Sequence, residues 1–138
     1  MGLTVLDAGV LIGFLDNGDL HHNAAVREFE SARYRGDKIA IPASALAEAM
    51  VAPARKGEPA LEALREFIER LPVGVAQLDA EVAIIAAQIR ALHGPRLKLP
   101  DALVVATAIN IEAEVLVTTD RGWPSKAKLG FDGSIVTI

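Results

Sequence analysis

Four carboxylates frame the chemistry open to this chain. Asp7 closes a short apolar run, Leu3-Thr4-Val5-Leu6, and Asp120 closes another, Val115-Leu116-Val117-Thr118-Thr119. Glu48 lies in an alanine-rich stretch, and Asp101 follows Leu99-Pro100. Brought together, such oxygen donors suit a hard divalent cation, Mg2+ or Mn2+, which keeps several of its waters. A cation so held polarises a phosphate and makes water a better nucleophile. Without it, clustered carboxylates repel and raise one another's pKa. Taken singly, each residue has an ordinary role: a strand-end N-cap for Asp7, a solvated helix position for Glu48, a first-turn dipole partner for Asp101, a turn for Asp120. The order and context of the four together carry the metal reading.

The elements needed to bring them together can be read along the chain. Leu3 to Leu6 reads as a central strand, apolar on both faces. Ala8 to Leu15 reads as a turn into a short helix, and Asp16-Asn17-Gly18-Asp19 as a turn. An amphipathic helix is expected from about His21 to Arg35, with Ala25, Val26, Phe29 and Ala32 inward. Lys38 to Ile41 reads as a second strand closed by Pro42. A helix over Ala43 to Arg55 follows, capped by Ser44 and carrying Glu48 in its first half. Lys56-Gly57-Glu58-Pro59 breaks it. Ala60 to Leu71 has helical apolar spacing, and Val73 to Leu78 reads as a third strand. Asp79 caps a helix from Ala80 to His93, ended by Gly94-Pro95.

The next helix opens at Leu99-Pro100-Asp101 and runs to about Glu112. Pro100 suits its first turn, and Asp101 faces the positive end of its dipole. It is apolar nearly all round, so it must be covered on several sides. Val115 to Thr119 reads as a fourth strand, Arg121 to Gly133 as irregular, and Ser134 to Ile138 as a fifth strand. Strands alternating with helices, and apolar on both faces, point to an α/β fold: a mostly parallel five-stranded sheet with helices on both faces. In such a sheet ligands bind at the carboxyl ends of the strands, where Asp7 and Asp120 fall. If strands one and four are neighbours, the four carboxylates can meet.

The bulk numbers agree. One domain spanning residues 1–138 is expected from the length, and 51% hydrophobic residues suffice for a real core. The absence of cysteine removes disulfides and thiolate metal sites. No apolar run is long enough for a membrane span, and Asp7 interrupts the apolar N-terminus, unlike a signal peptide. A cytoplasmic protein is expected. The net charge is −4, from 14 basic and 18 acidic residues. Setting aside the four carboxylates leaves 14 against 14, so the acidic balance does not argue against a nucleic-acid substrate.

Leu6-Asp7-Ala8, the helix residue Glu48, Leu99-Pro100-Asp101-Ala102 and Thr118-Thr119-Asp120 resemble the motifs of the PIN domain. Within that superfamily the chain is most similar to the VapC toxins of type II toxin–antitoxin pairs, over essentially its whole length. The resemblance implies a Mg2+- or Mn2+-dependent endoribonuclease cutting transfer or ribosomal RNA. Asp7 and Asp101 would ligate the metal, Glu48 and Asp120 would complete the cluster directly or through water, and Thr118 would orient the site. It also implies inhibition by a cognate VapB-type antitoxin, contact with DNA only through that antitoxin, and a homodimer. The alternative is a PIN fold used as a binding module with weak or no nuclease activity. One departure is plain: families of this kind usually carry Ser or Asn two residues after the first aspartate. Here that residue is Gly9, so a side-chain hydrogen bond is missing or replaced by water.

Other residues carry less. His21 and His22 read as solvated first-turn residues, and His93 as a helix C-terminal residue favoured by the dipole. Trp123, the sole tryptophan, reads as a packing residue beside the last acidic loop, with stacking on a base its other reading. A dinucleotide-binding glycine motif, an Asp-x-Asp phosphatase motif and the acidic pair of a receiver domain are each absent around Asp7.

Overall fold

The apolar run before Asp7 becomes the middle of the sheet. In the computed structural model, which describes residues 2–138, β1 (Leu3–Leu6) pairs on one side with β2 (Lys38–Pro42) and on the other with β4 (Val115–Thr118). The edges are β3 (Val73–Ala76) beside β2 and β5 (Ser134–Thr137) beside β4. The strand order is β3-β2-β1-β4-β5, and all the pairings are parallel. The expected α/β architecture is thus present and wholly, rather than mostly, parallel. Met1, the first residue of the expected 1–138 domain, lies outside the described residues.

The helices are α1 (Ala8–Leu15), α2 (His22–Tyr34), α3 (Ala43–Lys56), α4 (Glu58–Arg70), α5 (Ala80–His93), α6 (Leu99–Asn110) and a one-turn α7 (Lys126–Leu129). Successive residues of β1 point to opposite faces. Val5 joins a core with Leu11, Ala45, Val82, Ala86, Leu97, Val104, Val105 and Leu116. Leu6 joins a second core with Val10, Ala25, Phe29, Ala32, Ile39 and Val117. There the rings of Phe14 and Phe29 stack with centroids 4.5 Å apart. Each fully buried Val or Leu contributes about 1.5–3 kcal/mol of apolar burial. On α6, Ala102 and Val104 to Ala108 are all buried, so the helix start at Asp101 is held firmly.

Three expectations need correction. Ser44 does not cap α3: the residue before the helix is Pro42, and the Ser44 hydroxyl is buried within the helix without a partner. Pro42 has no side-chain acceptor, so the first N–H groups of α3 have no side-chain cap. Second, the outer strands are not buried on both faces; β3 and β5 carry exposed residues because each has a neighbour on one side only. Third, the stretch from Arg121 to Gly133 is not wholly irregular. Ser125 accepts from the Lys128 N–H and starts α7, and Gly130 ends it at φ 75°. Asp79 does cap α5, accepting from the Val82 N–H at 3.1 Å.

Candidate functional site

The register of the central strands builds the site. Leu6 pairs with Val117, so Asp7 and Thr118 leave the sheet side by side. The Asp7 N–H donates to the Val117 carbonyl at 3.0 Å, continuing the ladder for one more residue. Asp7 then turns the chain into α1 as its N-cap, with its Oδ1 accepting from the Ala8 N–H at 2.7 Å. Its Oδ2 accepts from the Thr118 hydroxyl, also at 2.7 Å. The same hydroxyl accepts from the Asp120 N–H at 3.0 Å. One buried threonine therefore fixes the Asp7 carboxylate and ties down the backbone that carries Asp120. The Asp120 Oδ1 in turn accepts from the Gly122 N–H at 2.7 Å, closing the loop.

The other two carboxylates arrive on helices. Asp101 stands in the first turn of α6, and Glu48 in the second turn of α3. Their mutual influence places all four at one end of the sheet. Burial raises the Asp101 pKa to about 6, and the charges of Asp7, Asp120 and Glu48 add to the rise. Glu48 is raised by burial and by Asp7. Asp7 is raised by burial, with Asp120 adding to it, while the Thr118 and Ala8 hydrogen bonds pull it back. The ion pairs among the described residues, Arg35–Asp37, Arg65–Glu62 and Arg65–Glu69, involve none of the four. The four expected carboxylates are thus within electrostatic reach of one another, with Thr118 bonded to Asp7 and to the Asp120 backbone.

The donor set fits a hard cation. The gathered donors are carboxylate oxygens, and the histidines are engaged elsewhere or distant. His22 Nδ1 pairs with the Gly13 carbonyl, and His93 Nε2 with the Lys128 carbonyl. Such a set favours Mg2+ or Mn2+ over zinc. Among the described residues, no three acidic or histidine side chains stand close enough to ligate one ion. Asp7, held by two hydrogen bonds, is the fixed member; Glu48 and Asp120 are exposed.

Two residues beside the site were only partly legible. Trp123 does pack against the core, as expected. Its indole N–H is also buried without forming a hydrogen bond, and it lies near enough to Asp101 to draw that carboxyl down. Gly9 leaves no gap for water of the kind expected: the Thr119 side chain fills the place where a Cβ would stand. An apolar groove of about 560 Å3 opens beside Glu48, between α1, α3 and α4, over Ile12, Leu15, Ala49 and Leu64, with Lys56 on its rim. No described helix is long and apolar enough to cross a membrane.

Solved structures share this fold. A toxin–antitoxin complex from Klebsiella pneumoniae matches at a TM-score of 0.70 with 22% identity, over 97% of this chain and 96% of that one. DNA-bound VapBC from Salmonella typhimurium matches at 0.68 with 20% identity, over 99% and 97%. VapC20 of Mycobacterium tuberculosis, described as a sarcin–ricin loop cleaving toxin, matches at 0.67 with 19% identity, over 82% and 86%. No curated protein matches the sequence itself. The model of the PIN domain covers residues 4–129, nearly the whole of the fold and all four carboxylates, and the chain belongs to that family.

Proposed function

We propose that this protein is a metal-dependent endoribonuclease of the VapC toxin type, held in check by a VapB-type antitoxin. The observation that carries the reading is the meeting of four carboxylates at the carboxyl end of the sheet, close enough that Asp7, Asp120 and Glu48 all act on half-buried Asp101, with no cationic side chain paired to any of them among the described residues. An unused cluster of this kind is a standing cost to stability; a bound cation turns it into a binding site. Asp7 and Asp101 would hold the ion, with Glu48 and Asp120 completing its shell directly or through water. When bound, Mg2+ or Mn2+ supplies an activated water and stabilises the charge that develops on the phosphate.

The chain's own residues do the positioning. Thr118 donates to Asp7, which aims that carboxylate and opposes the rise in its pKa from burial, and it anchors the Asp120 backbone. Asp101 is set by the buried helix behind it. Arg121 and Lys126 line a cleft of about 250 Å3 with Asp120 and Trp123, where cations can contact RNA phosphates and position the strand without specifying its sequence. The groove beside Glu48 supports the partner half of the reading. Its apolar floor suits the inward face of an antitoxin tail, and an antitoxin Arg or Lys reaching the carboxylates would compete with the metal. DNA would be contacted only through the antitoxin, two copies of the chain would pair, and the cytoplasm is the compartment proposed. One observation favours the binding-module alternative: among the described residues no three acidic side chains stand ready to ligate an ion.

Cleavage of total cellular RNA by the purified protein decides between them. Discrete fragments formed with Mg2+ or Mn2+, and lost with EDTA, are expected. Asp101→Asn should lower the rate at least about 100-fold while leaving the fold intact. A folded, antitoxin-free sample that cuts nothing under either metal would overturn the nuclease reading, and an Asp101→Asn variant cutting at the wild-type rate would overturn the site.

A further inference from the structure

Gly9 occupies the first turn of α1, two residues after Asp7. Its backbone is not in the left-handed region, so nothing in its own conformation demands glycine. Glycine in a helix ordinarily weakens it relative to alanine. What forbids a side chain is Thr119. A Cβ on residue 9 would stand 2.3 Å from the Thr119 Oγ1, 3.2 Å from its Cγ2 and 3.3 Å from its Cβ. The first contact is impossible and the other two are tight, so an alanine would force the threonine out of its rotamer. Thr119 itself lies between Thr118, which grips Asp7, and Asp120. Its hydroxyl has no hydrogen bond to another protein group among the described residues.

We propose that Thr119 is a positioning residue: its side chain is keyed into the notch left by Gly9, locking the helix that begins at Asp7 to the loop that carries Asp120. Asp7 and Asp120 hang from different elements, α1 and the end of β4. The Thr118 hydroxyl ties the Asp7 side chain to the Asp120 backbone through one hydrogen-bonded atom. The contact between Gly9 and the Thr119 side chain adds a shape constraint one residue further along. Gly9 and Thr119 are thus a matched pair, and a hydroxyl-bearing side chain at position 9 is incompatible with threonine at 119 in its present rotamer. The inference rests on the metal reading of the same carboxylates, and its test separates the two.

A mutant cycle read by melting and by Mn2+ binding provides that test. Melting is followed in EDTA, and Mn2+ affinity by electron paramagnetic resonance of the free ion. Gly9→Ala alone should lower the melting temperature, against the ordinary direction for glycine to alanine in a helix. In a Thr119→Ala background the same change should raise it, by about 3–5 °C. Gly9→Ala should weaken Mn2+ binding about tenfold, and the double variant should recover most of that loss. Thr119→Val, which keeps the shape and drops the hydroxyl, should bind Mn2+ like the wild type.

Gly9→Ala that raises the melting temperature by itself would overturn the key. Gly9→Ala that melts lower yet binds Mn2+ with wild-type affinity would overturn the positioning role and leave a packing contact. Weakened binding in Thr119→Val would overturn the shape argument in favour of the hydroxyl. A wild-type protein that binds no Mn2+ would overturn the metal reading, and the positioning role with it, whereas normal wild-type binding with an unaffected Gly9→Ala overturns the key alone.

Discussion

Asp7 and Asp37 sit at opposite ends of the same sheet and begin alike. Asp7 follows β1 and is buried, accepting a threonine hydroxyl at 2.7 Å. Asp37 precedes β2, its side chain is 5% exposed, and it accepts the Thr4 hydroxyl at 2.9 Å. Both also accept a backbone N–H, from Ala8 and from Gly2. The difference is the charge beside them. Burial pushes the Asp37 carboxyl up, but Thr4, the Arg35 guanidinium at 3.0 Å and Gly2 together bring it below the ordinary range. Asp7 is raised by burial and has a carboxylate, Asp120, where Asp37 has a cation. A carboxylate at the amino ends of the strands is neutralised within the fold. At the carboxyl ends the four have no cationic side-chain partner among the described residues. That contrast, more than the acidic residues themselves, is what the proposed metal site rests on.

Exchanging each aspartate for a neutral residue should split activity from stability. Asp7→Asn is expected to lower metal-dependent RNA cleavage at least about 100-fold. It should change stability in EDTA by less than about 1 kcal/mol, since relief of a buried charge offsets a weakened hydrogen bond. Thr118→Val removes the donor to Asp7 and the acceptor for Asp120, and should weaken Mn2+ binding by about 10–100-fold, read by titration. Asp37→Ala should do the reverse of Asp7→Asn. It removes the acceptor for the buried Thr4 hydroxyl, and should cost about 1–3 kcal/mol in urea unfolding. Cleavage per folded molecule should stay at the wild-type level. A stable Asp37→Ala protein, or one that has lost cleavage while folded, would break the contrast between the two ends.

The contrast also explains what the sequence could and could not display. Leu3 to Leu6 and Val115 to Thr118 are apolar on both faces, which dictates central parallel strands and places Asp7 and Asp120 at the same edge. Asp101 was legible because Pro100 and a nearly all-apolar helix mark a buried helix start. The outer strands and α7 were less so: Val75 in β3 is 48% exposed, since burial there depends on which strand ends the sheet, and one helical turn has no period. The neutral role of Asp37 is invisible locally, because Thr4 lies 33 residues away and only the β1–β2 register brings it near. The same holds for Gly9 and Thr119. Sequence marked the glycine as a departure, but its cause is a shape match between residues far apart in the chain. For Trp123 composition indicated packing, while the direction of its N–H depends on the path of the loop.

The smallest expected effect is the most diagnostic, because the two ends of the sheet respond to pH in opposite directions. Asp101, raised to about 6 against an ordinary value near 3.8, binds a proton more tightly when folded than unfolded. Its contribution is therefore favourable at low pH and is lost as pH rises through about 4 to 6. Asp37, held low, contributes stability above its unfolded value and loses it only as pH falls through its folded one. In EDTA the melting temperature should thus fall between pH 5 and pH 7.5. The Asp101 share is on the order of 1 kcal/mol after allowance for solvent screening of a half-buried group. Asp37 stays ionised throughout that window and cannot offset the fall. With saturating Mg2+ the trend should flatten or reverse, because the ion binds the ionised carboxylates of the folded state only. Asp101→Asn should make it shallower without metal, Asp7 and Glu48 supplying what remains, and Asp37→Ala should leave the slope unchanged while lowering the whole curve. A slope in EDTA that persists undiminished in Asp101→Asn would take the titration away from Asp101, Asp7 and Glu48 being the raised carboxylates that remain in the cluster.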